Sequence, residues 1–177
     1  MSATTRRHKA KASKSIGFAI LVCSTSRYQD LKAGKRVADE SGDQIAEALK
    51  KKGHTVASRA IVPDERRLIK RSLEEALKSK DVDAVVTCGG TGISPTDVTI
   101  ETVEPLLEKR LEGFGEIFRW LSYREVGSAA VMTRAMAGVV NGKAVFCIPG
   151  SPQAVSLCLE KLILPEAAHI ILHAREK

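Results

Sequence analysis

Residues 88–97, which read CGGTGISPTD, have the residue types and spacing of a phosphate-binding loop. Glycines let the backbone approach an anion closely, and N–H groups at the start of a following helix point toward it. The segment follows a strand predicted at residues 82–88 and precedes a helix predicted at residues 98–110. Asp97, at the end of the loop, adds a carboxylate that suits a divalent metal ion. The loop therefore predicts a site for a nucleotide or another phosphorylated ligand, together with a metal.

A second acid, Asp64, follows Pro63 at the end of another predicted strand. In parallel sheets, ligands bind beyond the carboxyl ends of the strands, where the connecting loops meet. The loops predicted at that edge are residues 24–38, 63–64, 89–97 and 149–152. Backbone N–H groups would hold an anion there, and the two acids would hold Mg²⁺, with water and phosphate completing its coordination.

These features also have a structural interpretation. Asp64 and Asp97 both precede a predicted helix, where an aspartate side chain commonly caps the first N–H groups and stabilises the helix by ~1 kcal/mol. Ser151, after Gly150, would cap a further helix in the same way, and the sequence GGTG is compatible with a tight turn. Spacing alone leaves both interpretations open.

The elements that must position these loops alternate between strands and helices. Apolar runs predict strands at residues 16–23, 54–62, 82–88 and 143–148. Amphipathic periodicity predicts helices at residues 39–52, 64–80, 98–110, 113–126, 151–164 and 165–174. Residues 129–140 are ambiguous, and the more polar second strand is expected near the sheet edge. The alternation predicts an α/β fold, a three-layer sandwich whose mostly parallel sheet is covered by helices on both faces.

The 177-residue chain has a formal net charge of +7, most of it near the N-terminus. Residues 1–15 hold five bases and no acid, so we expect them to form a disordered basic tail and residues 16–177 to form a single domain. We do not expect a nucleic-acid-binding protein, because the body has no recognition motif. We do not expect a membrane protein either, because no apolar run reaches the ~18 residues of a spanning helix.

The four cysteines lie far apart and form no metal-binding pattern. Cys23, Cys88 and Cys147 each end an apolar run before a polar or glycine-rich turn. We expect them to be small buried residues near the carboxyl ends of central strands, with free thiols that fit a reducing cytoplasm.

Five short motifs are spread along residues 16–165. They are residues 39–42 (DESG), 61–65 (IVPDE), 89–92 (GGTG) with 97–99 (DVT), 113–116 (GFGE) with 118–119 (FR), and 149–152 (PGSP). Their identity and order resemble the MoaB/MogA family of molybdenum cofactor biosynthesis proteins. Thr96 stands where many active relatives have arginine, which makes the chain more similar to the MoaB branch and removes one cation that could face phosphate.

The resemblance implies an enzyme that uses ATP and Mg²⁺ to adenylylate molybdopterin and releases pyrophosphate. It implies that Asp64 and Asp97 are catalytic and hold the metal. The other residues that it assigns to the binding site are Asp39, Ser41, Gly42, Gly89, Gly90, Thr91, Gly92, Ser94, Glu116, Gly150 and Ser151. It also implies homotrimers or homohexamers. Thr96 keeps open an alternative, a molybdopterin- or nucleotide-binding scaffold with little or no transferase activity.

Four of the seven aromatic residues fall within ten positions of the helix predicted at residues 113–126. One stripe of that helix is formed by Phe114, Ile117, Phe118 and Leu121. Trp120 and Tyr123 lie off that stripe. A helix that is apolar on more than one side is buried on more than one side. We therefore expect it to pack on the core and to contact another subunit.

His169 and His173 are four residues apart on the last predicted helix, and Glu166 precedes them by one turn. Such a face can bind zinc. A terminal helix without a further ligand motif favours a structural role instead.

Overall fold

The computed structural model describes residues 15–176, which form a six-stranded sheet flanked by helices. The strands are β1 (Gly17–Cys23), β2 (Thr55–Val62), β3 (Ala84–Cys88), β4 (Lys109–Arg110), β5 (Met136–Val140) and β6 (Lys143–Ile148). The helices are α1 (Thr25–Lys32), α2 (Glu40–Lys51), α3 (Arg66–Lys78), α4 (Thr99–Val103), α5 (Glu112–Val126), α6 (Pro152–Cys158) and α7 (Leu164–Arg175), with 3-10 turns at Glu104–Leu106 and Gly127–Met132 and a π-helical turn at Leu159–Ile163. The predicted tail, residues 1–15, lies outside the described residues except for Ser15.

The strand order is β2-β1-β3-β6-β5-β4. The first four strands in this order are parallel to one another. β5 is antiparallel to β6, and β4 is antiparallel to β5, so β5 alone runs in the opposite direction. This arrangement confirms the predicted α/β fold with a mostly parallel sheet. It also confirms the edge position of the polar strand β2.

Alternation along β1 divides the interior into two layers of packing. Phe18 and Ile20 are fully buried in a cluster with residues of α2, α5, α6 and α7. Ala19 and Leu21 point to the other face, where a second cluster includes Ile69 of α3. Full burial of a Phe or Ile side chain contributes about 1.5–3 kcal/mol, so the two clusters hold the sheet between its helical layers.

The prediction of one helix over residues 98–110 is wrong for the second half of that segment. α4 ends at Val103, a 3-10 turn follows, and the chain then enters the sheet as β4. Pro105 lies within that 3-10 turn. Because proline has no N–H group to donate to the preceding turn, it ends the α-helix.

Two further segments differ from expectation. Residues 24–38 were expected to be a loop but contain α1, a helix without buried residues and therefore without an apolar stripe in the sequence. The ambiguous residues 129–140 divide into the end of a 3-10 turn and strand β5. None of the helices within residues 15–176 is long and apolar enough to cross a membrane.

The aromatic helix α5 packs on the core as expected through Phe114 and Phe118, which are buried. Ile117, expected on the same stripe, is exposed. Trp120 and Tyr123 are also exposed, by 56% and 62%. An apolar face of α5 is therefore uncovered in the single chain.

Candidate active site

The candidate site begins where three parallel strands end together. Cys88 at the end of β3 pairs with Val22 of β1 on one side and with Ile148 of β6 on the other. Cys23, Cys88 and Cys147 are buried near these strand ends, which confirms the expectation from their positions. The loops that follow the strands consequently share one edge of the sheet.

Two glycines allow the loop after β3 to fold tightly against its neighbours. Gly89 and Gly90 have φ angles of +98° and +61°, a region that side-chain-bearing residues rarely adopt. A methyl group at Gly89 would lie 2.4 Å from the carbonyl oxygen of Cys23, and one at Gly150 would lie 3.3 Å from Gly89 Cα. The glycine loop, residues 89–92, is thus fixed against the end of β1 and the loop after β6.

The glycine loop opens onto a shallow cavity of about 410 Å³. Its lining residues come from three loops and are Gly89, Gly90, Thr91, Gly92, Asp97, Ala129, Met132, Thr133, Arg134, Pro149 and Gly150. Glycines dominate one wall, so a ligand there meets the backbone directly. That surface suits an anion such as a phosphate group.

Asp64 lies beside the glycine loop, between two loops of the sheet edge. Its Oδ2 accepts hydrogen bonds from the backbone N–H of Thr25 at 2.9 Å and from the Thr25 hydroxyl at 2.8 Å. Its Oδ1 is directed at Gly90, where a methyl group would lie 2.8 Å away. Asp64 does not cap the helix that follows it, because the N-cap position of α3 is Glu65. It sits at the start of α1 instead, where the helix dipole stabilises a carboxylate.

Asp97 closes the other end of the glycine loop. Its Oδ2 accepts a hydrogen bond from the backbone N–H of Ser94 at 2.9 Å. A methyl group at Gly92 would lie 2.6 Å from the same oxygen. The N-cap of α4 is Val98, so Asp97 does not cap its helix either. The exposed Thr96 hydroxyl lies 3.0 Å from that of Ser94 and brings no charge to the loop.

The two acids fit the donor chemistry of magnesium. Residues 15–176 contain no cluster of three or more His, Cys, Asp and Glu side chains that could hold a metal ion. Magnesium is usually bound by one or two carboxylates, with water and substrate phosphates supplying the other oxygens. Asp64 and Asp97, on either side of a loop that suits phosphate, meet this requirement.

The start of α2 reaches the same edge from the other side. The Ser41 hydroxyl donates to the carbonyl of Gly150 at 2.8 Å. Asp39 caps α2 by accepting from Gly42 N–H at 3.1 Å, and it is 5% exposed. Ser151 caps α6 by accepting from the N–H of Ala154, as its structural interpretation expected. These residues therefore have structural roles, and Ser41 contacts the cavity wall through its bond to Gly150.

Asp39 is also paired with an arginine that the sequence did not single out. Arg59 of β2 donates to the Asp39 carboxylate and backbone carbonyl and binds Asp43 on the other side. Arg59 lies on the polar edge strand β2, where most side chains are exposed, so no sequence pattern distinguished it. Gly42 is required beside this pair, because a methyl group there would lie 2.1 Å from Asp39 Oδ2.

A second arginine, Arg134, holds the glycine loop in place. Its guanidinium donates to the carbonyls of Thr91 at 2.9 Å and Gly92 at 2.5 Å, and it forms an ion pair with Glu101 at 2.5 Å. The hydrogen bond from Arg134 is the main reason that the pKa of Glu101 is lowered. Arg134 lies in the segment that was ambiguous from sequence, and only its place in three dimensions identifies it.

One residue implied by the resemblance is not brought to this site. Glu116 is exposed on α5. No hydrogen bond or ion pair among residues 15–176 links it to the glycine loop. The remaining implied residues lie along one edge of the sheet, from Asp39 through Gly150 and the glycine loop to Asp97.

Known proteins are similar to this chain in sequence and in fold. Residues 19–169 match the family described as "probable molybdopterin binding domain". A protein of Methanocaldococcus jannaschii named probable molybdopterin adenylyltransferase is 43% identical over 166 residues, 94% of this chain and 98% of that protein. Molybdenum cofactor biosynthesis protein B of Bacillus subtilis is 42% identical over 174 residues, 98% of each chain. The crystal structure of the tungsten cofactor synthesizing protein MoaB from Pyrococcus furiosus has a TM-score of 0.82 and 44% identity, covering 93% of this chain and 100% of that one. The chain therefore belongs to the molybdopterin binding domain family, together with the MoaB proteins.

Proposed function

We propose that this protein is a molybdopterin adenylyltransferase of molybdenum cofactor biosynthesis. It would transfer AMP from ATP to the terminal phosphate of molybdopterin, with Mg²⁺, and release pyrophosphate. One observation carries the proposal: carboxylate oxygens of Asp64 and Asp97 lie so close to Gly90 and Gly92 that a methyl group at either glycine would collide with them. An anion-binding backbone with acids at both ends suits a nucleotide bound with a metal ion. The names of the M. jannaschii and B. subtilis relatives support the same assignment.

The reaction joins two anions, so positioning is the main task of the site. A phosphate oxygen of molybdopterin attacks the α-phosphorus of ATP, and the bond from that phosphorus to the pyrophosphate oxygen breaks. Backbone N–H groups of residues 90–92 would bind the phosphate groups, and the Thr91 hydroxyl would add a polar contact. The N–H of Gly89 donates to the carbonyl of Ile148 at 3.0 Å and only shapes the loop. Holding the two reactants in line supplies most of the catalysis, because phosphoryl transfer needs little covalent help from the protein.

Asp64 and Asp97 would hold magnesium against the ATP phosphates. When bound, the metal offsets phosphate charge and polarises the reacting phosphorus. Thr25 keeps Asp64 in position through two hydrogen bonds to a single oxygen, Oδ2. Ser94 does the same for Asp97 through its backbone N–H. Each acid therefore keeps its other oxygen available for a ligand.

The second substrate would lie along the start of α2 and the loop after β6. Asp39, Ser41 and Gly42 form one side of that region, and Gly150 and Ser151 form the other. The bond from Ser41 to Gly150 joins the two sides. Ser94 borders the nucleotide side of the glycine loop, and Glu116 would act only through another subunit, because it is exposed on α5.

The test mixes the protein with molybdopterin, Mg²⁺ and ATP labelled at the α-phosphate, and measures labelled adenylylated molybdopterin. Asp64→Asn and Asp97→Asn should each lower the rate by about 100-fold or more, since each removes a charge that binds the metal–nucleotide complex. Glu65→Gln is the matched control, because Glu65 is exposed and its side chain caps nothing. Folded Asp64→Asn and Asp97→Asn proteins that work as fast as the parent would contradict the proposal.

A scaffold that binds molybdopterin or a nucleotide without transfer is the second candidate. The uncharged Thr96 favours it, because no cation extends from this position toward a phosphate. Tight molybdopterin binding without labelled product would establish the scaffold. If Thr96→Arg then produced activity, the missing charge would be the cause.

We also propose a homotrimer, or a hexamer of two trimers, that works in the cytoplasm. The support is the uncovered face of α5 and the following turn, whose exposed apolar residues are Ile117, Trp120, Tyr123, Val126, Val131 and Met132. Met132 also lines the cavity at the glycine loop. A subunit contact on this face would therefore border the active site. Four buried free thiols are consistent with a reducing compartment.

A further inference from the structure

The C-terminal helix α7 brings two histidine side chains together at the surface. His169 and His173 lie one turn apart, with ring centroids separated by 4.7 Å. Their Nε2 atoms are 3.0 Å from each other. The pair borders a depression of about 300 Å³ that is also lined by Lys109 of β4 and Val139 of β5. This depression shares no lining residue with the cavity at the glycine loop.

Each ring is oriented by a carboxylate on its other nitrogen. His169 Nδ1 lies 3.1 Å from Glu166 Oε2, and His173 Nδ1 lies 2.7 Å from Glu176 Oε2. An ionised carboxylate only accepts hydrogen bonds, so both Nδ1 atoms carry the proton. In a neutral ring the proton-free Nε2 then presents a lone pair. The two Nε2 atoms are 3.0 Å apart, so when both rings are neutral their lone pairs can be shared by one cation, either a proton or a metal ion.

We propose that His169 and His173 form a binding site for one divalent transition-metal ion that prefers imidazole, such as nickel, copper or zinc. Imidazole nitrogens bind such ions at about 2.0–2.1 Å. The two ligand nitrogens are then about 2.9 Å apart when the N–metal–N angle is about 90° and about 3.3 Å apart when it is tetrahedral. The observed 3.0 Å lies within that interval. Carboxylates on the second nitrogen are the usual outer partners of metal-binding histidines.

The surroundings define what kind of site this is. His169 is 20% exposed and His173 is 46% exposed, so an ion can reach both from solvent. The carbonyl end of α7 and the charges of Glu166 and Glu176 favour a cation. Lys109 lines the same depression and limits the affinity. Because the described residues offer no third ligand among His, Cys, Asp and Glu, water completes the coordination and the ion exchanges readily.

The test uses the full chain, without an affinity tag and freed of metal by a chelator. Calorimetric titration with nickel, copper or zinc chloride alone should give one ion per chain. His169→Ala and His173→Ala should each weaken binding at least about tenfold, and the Glu166→Gln, Glu176→Gln double variant should weaken it about 10- to 100-fold because the rings lose their orienting partners. His8→Ala, which removes a histidine elsewhere in the chain, should leave the affinity unchanged.

A second measurement needs no substitution. Substoichiometric copper should broaden the proton NMR signals of two of the four histidines in the parent protein, and those signals should be the ones missing from the His169→Ala and His173→Ala spectra. Absence of saturable binding would mean that the pair shares only a proton, and would overturn the proposal. Equal affinity in parent and double His→Ala variant, or broadening of other histidines, would overturn it as well.

Discussion

Replacing Arg134 with methionine should loosen the glycine loop without touching an acid of the site. The guanidinium spans two backbone carbonyls of the loop and one carboxylate on α4. Methionine retains much of the apolar stem but donates nothing. The carbonyl of the buried Thr91 then loses its charged donor, and Gly92 loses its own.

The size of the effect can be worked out from these contacts. Hydrogen bonds to a charged group contribute about 1.5–3 kcal/mol each, but Arg134 is 34% exposed, so the lower end applies. The ion pair with Glu101, itself 35% exposed, adds at most about 1 kcal/mol because solvent screens it. Two hydrogen bonds at the lower end and the ion pair together predict a loss of about 3–4 kcal/mol in the free energy of unfolding. That loss lowers the melting temperature by about 6–16 °C for a chain of this size.

Thermal unfolding and the AMP-transfer assay together test this reasoning. Arg134→Met should lose about tenfold in transfer rate even at temperatures where it is folded, because the loop that binds phosphate is no longer fixed. The transfer rate and melting temperature of Arg134→Lys should lie between those of the parent and Arg134→Met, since one ammonium group cannot reach all three partners. Arg71→Met is the control, because the pair that Arg71 forms with Glu75 is exposed on both sides. A melting temperature within about 2 °C of the parent, with an unchanged rate, would refute the positioning role.

The pH dependence has a definite sign. Arg134 lowers the pKa of Glu101 from its ordinary value of 4.5. The stability from this pair is therefore present above the ordinary pKa and is lost as the pH falls through the lowered one. The difference between parent and Arg134→Met should shrink in that acidic range and stay constant near neutral pH.

Three other outcomes follow from the structure. In chemical denaturation, Gly90→Ala should lower the free energy of unfolding by about 2–4 kcal/mol, because φ is +61° and the new methyl group would lie 2.4 Å from the Thr99 hydroxyl. Gly53→Ala is the comparison, since Gly53 has a similar φ but open space around it, and it should cost about 1–2 kcal/mol. Burial raises the pKa of the Cys23 thiol to about 12, so a thiol-reactive probe should label it slowly near neutral pH and rapidly in guanidinium. Fast labelling of the folded protein would contradict this. Trp120→Asp should convert the proposed trimer to monomer in light scattering, and a parent protein that is already monomeric would refute the subunit contact.

The central strands and helices were predictable because burial imposes a pattern on their sequences. β1 is buried at every position and reads as a continuous apolar run, which is typical of a strand covered on both faces. α3 buries Ile69 and Leu73 on one side, so its helical period is visible. The expectation that Cys88 ends a central strand follows in the same way from the apolar run of β3. Local pattern and tertiary position agree in these elements.

The remaining elements lacked such a pattern. α1 buries nothing, so it is defined by its Ser24 cap and not by an apolar stripe. β4 has two residues and is held by pairing with β5, a contact that no local sequence encodes. Arg134 is separated by more than 40 residues from the loop it supports, so no local sequence pattern connects the two.

The partners of the charged side chains explain how such a site would hold two anions. Two arginines at its borders, Arg59 and Arg134, are already committed to carboxylates and carbonyls, and Thr96 adds no charge. Phosphate binding would then depend largely on backbone N–H groups, whose number and positions the loop fixes. Asp64 and Asp97 would repel phosphate unless a metal ion lies between them. The same two acids that exclude an uncomplexed nucleotide would therefore select the magnesium complex, so that metal and nucleotide bind as one unit.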